Sequence, residues 1–82
     1  GLRGYQMKVK QYHMKPTKLI VYWVQAWNGW GIDCEDQFGN WYGIDEFCGQ
    51  IFHRKIDAIS AAREWKKRNQ VPEIVIGKVQ KI

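Results

Sequence analysis

The chain has 82 residues, 45% of them hydrophobic and 15% aromatic, and carries a formal net charge of +5. That length holds a single hydrophobic core, and the aromatic content supplies the apolar area a short chain needs, which excludes a chain disordered throughout. The longest apolar run, residues 19–24, falls far short of the ~20 residues of a membrane span, and the polar start lacks the apolar stretch of a secretory leader. A cytoplasmic protein with no membrane contact is the expectation.

Residues 1–17 form a basic segment, read either as an arm or as an edge strand. Tyr5, Met7 and Val9 share one parity, while Pro16 and Thr17 interrupt the run because proline cannot donate to a ladder. Residues 18–82 are read as one α+β domain. Residues 18–27 are β-branched and aromatic throughout and end at Asn28-Gly29, the strongest short-range signal for a type I′ hairpin. A two-residue loop sets Trp27 against Trp30, Gln25 against Ile32 and Trp23 against Cys34. Leu19, Val21, Trp23, Trp27, Trp30, Ile32 and Cys34 then share the core face, interrupted by Gln25. Ile20, Tyr22, Val24, Asp33 and Glu35 fall on a mixed, water-facing side.

A second turn falls at Gln37, Phe38, Gly39 and Asn40, and residues 41–46 read as a third strand. Residues 54–69 have helical periodicity, with Ala58, Ile59, Ala61, Ala62 and Trp65 in one arc and Arg63 and Lys67 opposite. Asn69, Gln70 and Pro72 end the helix, and residues 73–76 form a last short strand before a basic tail. The predicted fold is α+β in the order (β)ββ(β)αβ: an antiparallel sheet of three to five strands with one helix packed on one face.

This order, carried by Trp23-Val24, Trp30-Gly31-Ile32, Phe52, Ala58-Ile59, Ala62-Arg63 and Ile74-Val75-Ile76-Gly77-Lys78, resembles an uncharacterised family of small bacterial and phage strand-strand-helix-strand proteins. The likeness covers roughly three-fifths of the chain, mostly at core positions. It implies fold and a phage or mobile-element setting, with no activity attached. His53-Arg54-Lys55 stands where that family has a Thr or Ser cap, and the loop before the helix is longer here. In layout alone the chain is also similar to the arm-binding domains of phage integrases, in which a three-stranded sheet enters the major groove. The strand after Pro72 departs from that pattern.

The chemistry-bearing residues give no enzymatic motif and imply no cofactor. Of Cys34, Cys48, His13 and His53, Cys48 and His53 have the gap of a mixed zinc pair but Cys34 stands alone, and both thiols read as reduced and buried. Asp33, Glu35, Asp36, Asp45 and Glu46 match no calcium loop and read as solvated strand charges. Ser60 lies mid-helix without a nucleophile motif around it. The basic residues point further. Residues 1–18 hold five Lys or Arg and no acid, whereas residues 33–46 hold five acids and no Lys or Arg. Such asymmetry fits a polyanionic partner, although ordinary solubility accounts for it equally well. Lys8 and Lys10 in the arm, Arg54 and Lys55 at the helix start, and Arg63, Lys66 and Lys67 along its ridge are candidate phosphate contacts. Tyr22 and Trp41 are candidate stacking residues. The expectation is a non-enzymatic module that binds nucleic acid. The alternative is a protein-binding adaptor or phage-type inhibitor of a host protein, with sheet-edge pairing as the route to a homodimer.

Overall fold

The computed structural model describes residues 15–77. Four strands, β1 (Pro16–Val24), β2 (Gly29–Asp36), β3 (Trp41–Gly43) and β4 (Glu73–Gly77), form one sheet in the order β3-β2-β1-β4, and one helix, α1 (Lys55–Asn69), covers one face. The fold is the α+β arrangement expected. The sheet is mixed, however, because β4 runs parallel to β1 while β1–β2 and β2–β3 are antiparallel. The helix explains the direction. Its start lies by Trp30, at the far end of β1, and it returns to the level of Lys18, where β4 begins opposite it. A strand that reverses off that helix must run alongside β1.

The reversal is a Schellman closure. Gln70 takes the left-handed conformation at φ 54°, and the Val71 amide donates back to the Lys66 carbonyl at 3.0 Å. Val71 is then buried in the main core.

The hairpin differs from expectation in register. Val24 faces Gly29, Trp23 faces Trp30 and Leu19 faces Cys34, so four residues connect the strands instead of two. Gln25–Trp27 make a 3₁₀ turn, closed by the Asn28 amide on the Gln25 carbonyl at 3.2 Å. Asn28 alone of the Asn-Gly pair has positive φ, at 50°. Gly29 is there for space: a Cβ on it would overlap the Ile51 side chain and come within 3.1 Å of the Phe52 carbonyl. The amides and carbonyls of Trp30 and Phe52 are exchanged across this contact, at 2.7 and 2.9 Å, and hold the segment before the helix against β2. The change in register is an even number of residues, so every strand residue keeps its face. Trp27, expected in the core, leaves the ladder and is 62% exposed. Gln25 leaves it too, and the core face runs without interruption.

That face packs Leu19, Val21, Ile32 and Cys34 against Ala58 and Ala62 of α1, with Ile59, Ala61 and Trp65 at the margin. The two alanines are fully buried, and their small size lets the helix approach the sheet closely. The third strand is shorter than expected. It ends at Gly43, and a 3₁₀ turn (Asp45–Phe47) then drops Ile44 and Phe47 into the core.

The second face corrects two expectations. Ile20, Tyr22 and Val24 are buried there, with Trp41 packed on Tyr22, so this side is not a water-facing surface. Asp33 and Asp36, expected to be solvated, are buried as well. Pro16 and Thr17, expected to interrupt the chain, open β1 across a shift in register, and the Thr17 hydroxyl donates to the carbonyls of Glu35 and Asp36. The rest of the N-terminal arm or edge strand, residues 1–14, lies outside the described residues, as does the basic tail from residue 78.

Candidate nucleic-acid interface

Residues 15–77 contain eight Lys and Arg and eight Asp and Glu, so their formal charge is zero. The whole surplus of +5 resides in Arg3, Lys8, Lys10, Lys78 and Lys81, beyond the described residues at either end. Attraction of the described fold for a polyanion therefore depends on how its charges are arranged, and α1 arranges them unevenly.

At about 100° per residue, Lys55, Lys66, Arg63 and Lys67 occupy an arc of about 120° on one flank of α1, with Ile59 and Ile56 between them and no acid. The opposite flank carries Asp57, Glu64 and Arg68. Ion pairs follow the same division. Arg68 donates to Glu46 at 2.7 and 3.3 Å and lies 3.9 Å from Glu64, while Arg54 makes a two-pronged contact with Asp57 at 2.9 and 3.0 Å. Arg63, Lys66 and Lys67 make no ion pair among the described residues. Lys55 sits over the Trp30 ring, 5.4 Å from its centroid. From Lys55 to Lys67 the flank runs about 18 Å at 1.5 Å per residue.

The sequence-derived candidates thus separate. Lys55, Arg63, Lys66 and Lys67 are brought together on one surface. Arg54 lies just before them, but the hydrogen bonds and charge of Asp57 hold its guanidinium and raise its pKa further. Those same Arg54 contacts lower the pKa of Asp57, and the ion pair offsets the repulsion a cation meets at a helix start. Lys8 and Lys10 lie outside the described residues. Tyr22 does not serve as a stacking surface: it is 6% exposed, its ring lies across Gly31 and it packs against Trp41, with ring centroids 5.9 Å apart. Burial first, and then the Asp33 carboxylate beside it, push the Tyr22 hydroxyl up to about 12. Trp41 is half-buried in the same contact.

The aromatic residue that sequence reasoning missed is Trp27. The signal was present in a four-residue connection of Gln25, Ala26, Trp27 and Asn28, but the Asn-Gly pair favours the shorter loop. Trp27 stands at the rim of a groove of about 540 Å³ whose lining includes Tyr22, Gly31, Ile51, Asp33, Asp45 and Gln50. Two acids make this groove unsuited to phosphate. Trp23 and Trp30 meet edge to face nearby, at 5.5 Å, with the Trp23 indole N–H donating to Gln25.

Burial pushes the Cys34 thiol up, against a hydrogen bond from Tyr42 that lowers it, so little thiolate forms. Cys48, expected to be buried, is exposed on the loop after the short turn. No cluster of His, Cys, Asp and Glu able to hold a metal occurs among the described residues. None of the described helices is long and apolar enough to cross a membrane. Comparison with protein families, with curated proteins and with solved structures gives no match.

Proposed function

We propose that this protein is a small non-enzymatic module that binds nucleic acid, with the cationic flank of α1 lying along a phosphate backbone. The observation that carries the reading is the segregation of charge on one helix: Lys55, Arg63, Lys66 and Lys67 share an acid-free arc, while Arg54 and Arg68 are neutralised by carboxylates on the other side. A solvated helix that served only solubility would interleave the two signs. The cations at both chain ends add sequence-independent attraction. Two unpaired thiols suit a reducing, cytoplasmic setting.

The test is a fluorescence-anisotropy titration of labelled oligonucleotides of unrelated sequence at low salt. Arg63→Gln with Lys67→Gln should weaken binding to all of them by a similar factor, as expected for phosphate contacts. Absence of binding by the unaltered protein at low salt refutes the reading. The rival, a protein-binding adaptor or inhibitor, draws on the exposure of Trp27, Phe38 and Ile56. Phe38 stands at the opposite end of β2 from Trp27 and the start of α1, so the three side chains do not form one contact patch. Self-association through the β4 edge would appear as a dimer in light scattering.

A further inference from the structure

We infer that the ligand class is single-stranded nucleic acid, with its backbone on the α1 flank and a base stacked on Trp27 at the end of the sheet where that flank begins. The inference rests on the nucleic-acid reading above and adds a residue and a strand preference to it. Trp27 is 62% exposed in a short 3₁₀ turn, outside both the ladder and the two hydrophobic clusters, so core packing does not account for it.

Position and charge argue for a base over an apolar protein surface. The hairpin turn, the Trp30–Phe52 bridge and the start of α1 all lie at one end of the sheet, and Lys55 rests on Trp30 there. The cationic arc therefore begins at the end of the molecule where Trp27 stands. The groove beside Trp27 lies on the sheet face away from α1; its acids repel phosphate, while Asp45 and the Gln50 side chain offer an acceptor and an amide to the uncharged edges of a base. A duplex hides its base faces within the stack, whereas a single strand presents them to aromatic side chains. Phosphate on the helix and base at the turn is the division of labour a single strand requires.

The experiment compares an unstructured homopyrimidine DNA oligonucleotide with a hairpin duplex of equal length, using the full chain, Trp27→Ala, Trp27→Phe and the Arg63→Gln/Lys67→Gln variant. The unaltered protein should bind the single strand more tightly than the duplex, with quenching of tryptophan fluorescence. Trp27→Ala should weaken single-strand binding by about 5- to 150-fold, from the usual worth of one stacked base, and leave duplex binding within twofold. Trp27→Phe should recover part of the loss, and a circular dichroism spectrum identical to that of the unaltered protein excludes misfolding. If Trp27→Ala binds the single strand as well as the unaltered protein does, the stacking inference is overturned and the phosphate reading survives, provided Arg63→Gln/Lys67→Gln still weakens binding. If neither nucleic acid binds, both fall together. If instead Trp27→Ala abolishes self-association in light scattering without any nucleic-acid binding, Trp27 belongs to a protein contact and the inference is wrong.

Discussion

Replacing Gly29 by alanine separates two accounts of the hairpin that predict the same loss for different reasons. In a type I′ turn Gly29 would need positive φ, and alanine there would cost about 1–2 kcal/mol. In the structure Gly29 is an ordinary strand residue opposite Val24, and the added methyl collides with Ile51 and crowds the Phe52 carbonyl. Overpacking of this kind costs about 1–3 kcal/mol, against which the stiffer unfolded chain returns about 0.4–1 kcal/mol. The net expectation is a loss of about 1–2 kcal/mol. Only the dependence on Ile51 distinguishes the accounts. Ile51→Ala removes the obstructing Cγ2, so Gly29→Ala should become nearly neutral in that background, with a coupling of about 1–2 kcal/mol. The assay is urea denaturation of the four proteins followed by tryptophan fluorescence. Equal cost of Gly29→Ala with and without Ile51 would refute the spatial explanation and restore the tighter turn.

Three further outcomes follow from local geometry. Gln70→Gly should stabilise the protein by about 1 kcal/mol in the same assay, because Gln70 holds φ 54° where glycine meets no Cβ penalty. Burial would raise the pKa of the Asp36 carboxyl, but the amides of Asn40 and Phe38 at 2.9 and 2.8 Å, with the Asn40 side chain, outweigh it and hold the pKa below the usual value. Its stabilising effect is therefore present above the unfolded value near pH 3.8 and is lost as pH falls through the lower folded value; Asp36→Asn should flatten that limb of a melting-temperature series. Tyr22, raised to about 12, contributes stability fully present below pH 10 and lost as pH rises toward 12. Alkaline ultraviolet titration should show a tyrosine that ionises about two units late; Tyr22→Phe should remove that step and leave Tyr42, which burial also pushes up, to ionise later still.

The core was legible because its signals are redundant. Alternation in β1 and β2 assigned Leu19, Val21, Ile32 and Cys34 to one face whether the loop holds two residues or four, and the spacing of Ala58, Ala62 and Trp65 marked the matching face of the helix. The hairpin loop was misread because Asn28-Gly29 satisfies a turn rule while each residue answers to a different constraint, a left-handed backbone at one and close approach of Ile51 at the next. That difference moved Trp27 from expected core to exposed turn. Burial of Tyr22 and Asp33 was illegible for another reason: strand alternation tells which side chains share a face, not what that face meets. The charge segregation on α1 could be read from the sequence, but pairing of Arg68 with Glu46 joins residues 22 apart and needs the fold.

The central claim, that the cationic flank of α1 neutralises phosphates, is tested most directly by the salt dependence of oligonucleotide affinity in the unaltered protein and in Arg63→Gln/Lys67→Gln. The terminal cations contribute equally to both, so the difference in slope isolates the helix. The slope of log affinity against log salt should be shallower in the variant by about 1.4 for a single strand, at about 0.7 for each phosphate that is no longer neutralised. Parallel slopes in the two proteins would contradict the claim.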